Sequence, residues 1–262
     1  MLDQIIGHKR EEIAEAEAAM PLTELRRLAA WQPQANDFAA ALRPVKARPG
    51  RTPALIAEVK RASPSRGVMN TDIDPAALAH DYAHAGAAAI SVLTDRKFFR
   101  GSLEDLEAVR HAVAQPVLQK DFLINEYGVV QARAAGADAV LLIVAALDNA
   151  ELRDLLAVTH GLGMNAIIEV HNEPELERAM QLDTRIIGVN NRNLATFEVD
   201  TNTTARLRPL VPPTLIFVAE SGIRTAADVQ ALREINADAM LVGEALVTSG
   251  DVMAKIKGLL YS

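Results

Sequence analysis

The sequence predicts a single α/β domain, a (βα)8 barrel of the TIM type with an N-terminal helical extension, over 262 residues. Three observations predict it. Eight short apolar runs recur along the chain, a helix-length interval separates neighbours, and several intervals end in the same weak repeat. Short strands alternating with helical segments are the pattern of βα units on a parallel sheet. Eight such units in a chain of this length favour closure into a barrel over an open doubly wound sheet.

The elements follow in order. Residues 1–50 read as a helical extension packed on the barrel: Leu2, Ile5, Ile6 and Ile13 mark one amphipathic helix, and Leu22, Leu25 and Leu28 a second. A proline-broken connector (Arg43-Pro44, Arg48-Pro49) comes next. Residues 51–262 hold the barrel, with strands at ALIAEV (54–59), AAISVL (88–93), PVLQK (116–120), AVLLIV (139–144), AIIEV (166–170), RIIGVN (185–190), TLIFVAE (214–220) and AMLVGE (239–244). The repeat is HAGAAAISVL, AAGADAVLLI and EINADAMLVG, in which a Gly or Asn after a helix fits a left-handed helix C-terminus.

Composition narrows the function. A net charge of −7 leaves no basic stripe for nucleic acid or a membrane surface, although a small anion needs only local positive charge. The absence of Cys removes disulfides, thiolate metal sites and Cys nucleophiles, as in a reducing compartment. The start, MLDQIIGHKREEIAEAEAAM, is broken by charge and reads as neither a secretory signal nor a spanning helix, so the expected location is cytoplasmic. No metal site is expected: His80 and His84 have a metal pair's spacing but fall off the helix face marked by Leu78 and Tyr82. Gly161-Leu-Gly163 reads as a helix stop rather than a dinucleotide fingerprint, and His171 as a cap or a solvent-facing side chain outside the site.

The functional signal lies at the strand ends. Glu58 and Lys60, two residues apart in an extended chain, project to the same side, where burial without pairing costs several kcal/mol. Lys120 and Asp121 end the third run, Glu169 the fifth, Asn190 and Arg192 follow the sixth, and Glu220 and Ser221 the seventh, whereas the opposite strand ends read as apolar or small. In a parallel barrel all C-terminal strand ends meet at one rim, so these charges line one pocket. A phosphate commonly sits between the last two βα loops of such barrels, here Glu220-Ser221-Gly222 and Gly243-Glu244-Ala245. Two other readings fit the rim alone: an aldolase forming a Schiff base through Lys60 or Lys120, and a non-catalytic phosphate-binding barrel.

The motifs IAEVKRASPSRG, ISVLTDRKFFRGSLEDL, VLQKDFLI, IIEVHN, GVNNRNL, VAESGI and LVGEAL resemble, in order and over essentially the whole chain, the rim motifs of the indole-3-glycerol phosphate synthase family. Because no second domain follows residue 262, the resemblance is to the monofunctional form; one departure is Glu244, where some relatives carry Ser. The resemblance implies ring closure of 1-(2-carboxyphenylamino)-1-deoxyribulose 5-phosphate to indole-3-glycerol phosphate, with loss of CO2 and water and no cofactor. It implies five catalytic residues: Lys120 as the acid that protonates the ketose carbonyl, Glu169 as the carboxylate partner of the dehydration, and Glu58, Lys60 and Asn190 orienting hydroxyls, with the division of acid and base roles among Glu58, Lys60 and Glu169 left open. On this reading Arg192 and Lys60 offer positive charge for the substrate carboxylate or phosphate, Ser63 lies on a closing loop, Phe99 and Phe122 wall the aromatic ring, and Glu220, Ser221, Gly222, Gly243 and Glu244 surround the phosphate, to which Ser221 adds a hydroxyl donor. The expected partner is this small sugar phosphate, and the expected assembly a monomer or a weak homodimer.

Overall fold

In a closed barrel, alternation along each strand sends one set of side chains inward and the other against the surrounding helices. The computed structural model describes residues 1–43, 51–194 and 196–261. Eight parallel strands close in sequence order: β1 (Ala54–Val59), β2 (Ala89–Leu93), β3 (Val117–Lys120), β4 (Ala139–Ile143), β5 (Asn165–Val170), β6 (Ile186–Asn190), β7 (Ile216–Glu220) and β8 (Ala239–Val242), with β8 pairing back onto β1. Ile56, Leu118, Leu141, Ile167, Ile186, Val218 and Leu241 fill the interior, whereas Leu55, Ile90, Val140, Ile168, Val189 and Phe217 pack against the helices.

The eighth run stops earlier than the sequence suggested: β8 ends at Val242, and Gly243 precedes a short helix, Glu244–Val247. The fourth run gives way at Val144 to a 3₁₀ turn, Val144–Ala146. The loop after β1 contains a two-stranded ribbon pairing Ala62 with Val68 and Ser63 with Gly67, which the apolar pattern did not reveal because each strand has only two residues.

Helix starts follow local chemistry. Asp74, Ser102, Asn125, Asn172 and Asp251 each accept a backbone N–H of the first turn, and Asp148 with Glu151 and Thr225 with Asp228 form capping boxes. The three repeat positions, Gly86 (φ 109°), Gly136 (φ 89°) and Asn236 (φ 53°), are all left-handed, as the repeat implied.

The barrel floor differs from its sequence reading. Asp138 accepts the Val117 N–H at 2.8 Å, Asp238 that of Phe217 at 2.9 Å, and Asn165 that of Ala39 at 2.9 Å. These polar groups satisfy backbone donors where strands begin, so the floor is not simply apolar or small.

The N-terminal segment reaches from mouth to floor. Helix Leu2–Ala19 brings Leu2 and Ile5 to the mouth, helix Leu22–Trp31 packs on helix Glu126–Ala134, and Phe38 and Leu42 of helix Phe38–Leu42 are fully buried with the barrel interior. Leu28, taken from the sequence as part of the buried face, is 48% exposed; Leu25 and Ala29, four residues apart, form that face instead. Pro44 and Pro49 of the expected connector lie outside the described residues. Among the described residues no helix is long and apolar enough to cross a membrane.

Candidate active site

The inward-facing residues at the C-terminal ends of the strands are charged where those nearer the floor are apolar, so charged groups gather in a largely apolar cavity at the barrel mouth. Glu58, Lys60, Lys120, Glu169, Asn190 and Glu220 all line it. Burial is tolerated because opposite charges meet. Lys60 Nζ lies 2.6 Å from Glu58 Oε1, and Lys120 Nζ lies 3.1 Å from Glu169 Oε2 and 3.3 Å from Glu220 Oε2.

Glycines make room for these carboxylates. A Cβ on Gly188 would overlap Glu220 Oε1, and one on Gly243 would overlap Glu58 Oε1. Each carboxylate occupies space that a side chain would take.

Lys120 is surrounded by acid. Burial alone would lower its pKa, but Glu169, Glu220 and Glu58 raise it well above the ordinary lysine range. The two carboxylates flanking it diverge. Burial would raise Glu169, but Lys120 and then His171 outweigh it and hold that carboxyl well below the usual range. Glu220 is pushed up to about 8 by burial, with the charge of Glu169 adding to it and Lys120 opposing. Apart from the Lys120 ammonium 3.3 Å from Oε2, neither Glu220 oxygen has a donor among the described residues.

Around this centre, Asn190 Oδ1 accepts Ser221 Oγ at 2.8 Å and the Arg192 backbone N–H at 3.0 Å, which fixes the orientation of its amide. Ser221, expected to donate to phosphate, thus spends its proton on Asn190. Ser221 and Gly222 both have positive φ, 64° and 84°, and a Cβ on Gly222 would crowd Thr201 and Val199. Phe99 and Phe122 face one another with centroids 6.2 Å apart, and both line the cavity with Ser63.

Glu244 is placed differently from its sequence reading. Its carboxylate meets Arg66 at 2.8 Å, Arg224 at 3.0 Å and Arg192 at 3.8 Å, so it holds cations rather than offering a donor to an anion. Arg66 and Arg224 were not singled out, because single arginines in loops carry no periodic signal.

His171 corrects the sequence reading most sharply. Its side chain is only 10% exposed, with Nε2 3.3 Å from Glu169 Oε1 and Nδ1 2.9 Å from Glu175 Oε2. It neither faces solvent nor serves only as a cap. The signal was available: two residues past Glu169 in an extended chain, it falls on the same side. Lys9 was also missed. It lies four residues from both Ile5 and Ile13 on the buried stripe, and its Nζ meets Glu12 at 2.7 Å, Asp121 at 3.0 Å and Asp95 at 3.4 Å. Asp121 in turn accepts Thr94 Oγ1 at 2.6 Å and the Phe122 N–H at 2.7 Å, so the extension is tied to the segment following Lys120.

His80 and His84 stand exposed with rings 4.0 Å apart, and no cluster able to hold a metal occurs among the described residues.

The family model for indole-3-glycerol phosphate synthase matches residues 2–259. A relative of that name from Roseiflexus sp. (strain RS-1) is 51% identical over 267 residues, covering 99% of this chain and 97% of its own. Another from Polaromonas sp. is 49% identical over 262 residues, covering 99% and 98%. Among solved structures, 3-hexulose-6-phosphate synthase superposes with a TM-score of 0.62 at 16% identity, over 79% of this chain and 97% of that one. A chain of the tryptophan synthase complex from Pyrococcus furiosus gives 0.59 at 15%, over 80% of this chain and 98% of that one, and these two likenesses are of fold.

Proposed function

The chain belongs to the indole-3-glycerol phosphate synthase family, and we propose that in it Lys120 is the general acid of ring closure and Glu169 the carboxylate that acts in the dehydration. The reaction closes the indole ring of 1-(2-carboxyphenylamino)-1-deoxyribulose 5-phosphate and releases CO2 and water. The observation that carries the assignment is Lys120 Nζ standing between two buried carboxylates, 3.1 Å from Glu169 and 3.3 Å from Glu220.

Carbon–carbon bond formation turns the ketose carbonyl into an alkoxide as the carboxylate-bearing ring carbon attacks. A fully charged ammonium stabilises that oxygen by its field and then gives it a proton. The anilino nitrogen accepts the electrons released with CO2 after first supplying them to the ring, so the substrate carries its own electron sink. Once Lys120 has given up its proton, its charge no longer depresses Glu169, and the carboxylate becomes a stronger base for the ring proton. One proton transfer thereby orders the two stages. The same acid environment disfavours a Schiff base, since a protonated amine is no nucleophile.

Glu58, Lys60 and Asn190 orient the substrate hydroxyls, Phe99 and Phe122 wall the aromatic ring, and Ser63 rides on the ribbon that borders the mouth. Backbone donors around Ser221, Gly222 and Gly243, with Arg192, hold the phosphate. The arrangement of residues 1–50 as an extension on a barrel of residues 51–262, a monomeric or weakly dimeric assembly in the cytoplasm, and no engagement of nucleic acid complete the reading.

Single-turnover rapid quench with the carboxyphenylamino-ribulose phosphate tests the central roles. Lys120→Ala should lower kcat by at least ~10²–10⁴ and accumulate only bound substrate. Lys120→Arg keeps the charge, but its larger planar guanidinium does not reproduce a compact ammonium placed between Glu169 and Glu220, so it should rescue little. Glu169→Gln should instead accumulate a ring-closed intermediate. Ring closure at the wild-type rate in Lys120→Ala overturns the assignment.

A further inference from the structure

Two carboxylates flank Lys120 at nearly equal distance, yet dehydration needs a base at one position and a proton carrier at another. What makes them unequal is a third group. His171 touches Glu169 at 3.3 Å and does not appear among the contacts of Glu220. We propose that His171 is a positioning residue: clamped between Glu169 and Glu175, it keeps Glu169 as the anion of the pair and leaves Glu220 to carry the proton.

The geometry is built for this. Glu175, on helix Glu173–Ala179, accepts both the His171 backbone N–H and its Nδ1 on one oxygen, each at 2.9 Å, so ring and strand end are held from one side. Asn172 Nδ2 donates to the other Glu175 oxygen at 2.8 Å and fixes that carboxylate in turn. The ring can then turn only its Nε2 toward Glu169. Two flanking carboxylates favour the imidazolium, and although burial opposes it, they push His171 up to about 10. The charged groups facing the Glu169–Glu220 pair are thus Lys120 from β3, which both share, and His171, which only Glu169 has.

The consequence appears after Lys120 has delivered its proton. Without a second cation, Glu169 and Glu220 become two buried carboxylates competing for one proton with nothing to direct it. With His171 charged, the proton resides on Glu220, whose oxygens have no donor besides Lys120 among the described residues, and Glu169 stays free to take the ring proton. Glu220 is then the candidate donor to the departing hydroxyl: its O–H bond breaks, the hydroxyl leaves as water, and the proton taken by Glu169 restores the balance. His171 touches no reacting atom in this scheme.

This inference rests on the proposed role of Glu169, and its test has a part that does not. In the wild-type protein labelled with ¹⁵N-histidine, the His171 ring should remain an imidazolium through pH 8 and titrate near 10, and in Glu175→Gln its midpoint should fall by at least one pH unit. A wild-type ring that titrates near the ordinary value of about 6.5 overturns the proposal whether or not the enzyme turns over. In the kinetic part, the acid limb of kcat, which reports ionisation of Glu169, should move up by a pH unit or more in His171→Gln and less in Glu175→Gln. Acid limbs that stay in place in both folded variants overturn it as well. If instead the wild type fails to convert the substrate, the functional reading falls and the ring titration still decides the clamp.

Discussion

Arg66 Nη2 meets Glu244 Oε1 at 2.8 Å, joining the loop after β1 to the helix after β8 across the cavity mouth. Arg224 and Arg192 converge on the same carboxylate. Glu244 thus presents these three guanidiniums with the kind of negative charge that the phosphate of the proposed substrate carries. Glu244→Gln should release three guanidiniums for the incoming anion and lower KM several-fold at low ionic strength, with the gain shrinking in ~0.5 M salt as screening grows. A KM that rises, or that ignores salt, counts against a competing role for this carboxylate.

The neighbouring loop should respond differently. Any L-residue at Gly222 must adopt a φ near +84° and crowd Thr201 and Val199, so Gly222→Val should displace the loop and, on the proposed phosphate assignment, lose contacts that persist from ground state to transition state. Uniform binding lost from ground and transition states raises KM and spares kcat. An increase of about 10–100-fold matches the ~1.5–3 kcal/mol of charge-assisted hydrogen bonds. Ser221→Ala differs because its hydroxyl holds Asn190, so kcat should fall along with the rise in KM. Steady-state kinetics separates the two, and an unchanged KM in Gly222→Val removes the phosphate assignment.

The contrast between these residues shows how far the sequence could be read. Period-two alternation put Glu58 and Lys60 on one side of a strand, and the meeting of C-terminal strand ends in a parallel barrel brought Lys120, Glu169 and Glu220 to the same rim. Gly86, Gly136 and Asn236 were legible for a similar reason, since a helix stop is written in a single residue. Arg66 and Arg224 were not, because what brings them to Glu244 is the packing of separate loops. Leu28 misled because three-residue spacing matches a helix face as well as four-residue spacing does, and only packing on a neighbour chooses. His171 lay on the alternation and was set aside through its loop position; its partner Glu175 belongs to the following helix, out of reach of a strand pattern.

Lys9 provides a stability test of the tie between extension and barrel. Its ammonium is buried against Asp121 and Asp95, and burial would lower its pKa, yet Asp121, Glu12 and Asp95 raise it well above the ordinary lysine range. Lys9→Met keeps the stem volume and leaves two buried carboxylates without their cation. Breaking a buried pair from one side costs about 3–5 kcal/mol, so chemical denaturation should show a loss of that order. Replacing Asp95 with Asn in the same chain should recover part of it, because one of the two carboxylates that share Lys9 is then neutral. A loss below about 1 kcal/mol in Lys9→Met indicates a merely superficial tie.

Glu220 makes the corresponding prediction for pH. Its folded pKa, about 8, lies above the 4.5 of a free glutamate, so the native state holds this proton more tightly than the unfolded chain. Where the native state binds more protons, stability falls as pH rises. The favourable contribution is therefore complete below pH 4.5 and is lost as pH climbs toward 8. Glu220→Gln carries no titrating group, so its Tm relative to wild type should increase across that window and level off above it. Groups that titrate there in the unfolded chain, His171 among them, are common to both proteins and largely cancel in the difference. Activity should move the opposite way. The amide cannot release a proton to the departing hydroxyl, so kcat falls at neutral pH, and the decline of wild-type kcat on passing pH 8 should disappear from the variant's profile. Thermal melts at pH 5, 7 and 9 beside kcat profiles of both proteins check both signs, and a Tm difference independent of pH means that Glu220 is already ionised in the fold.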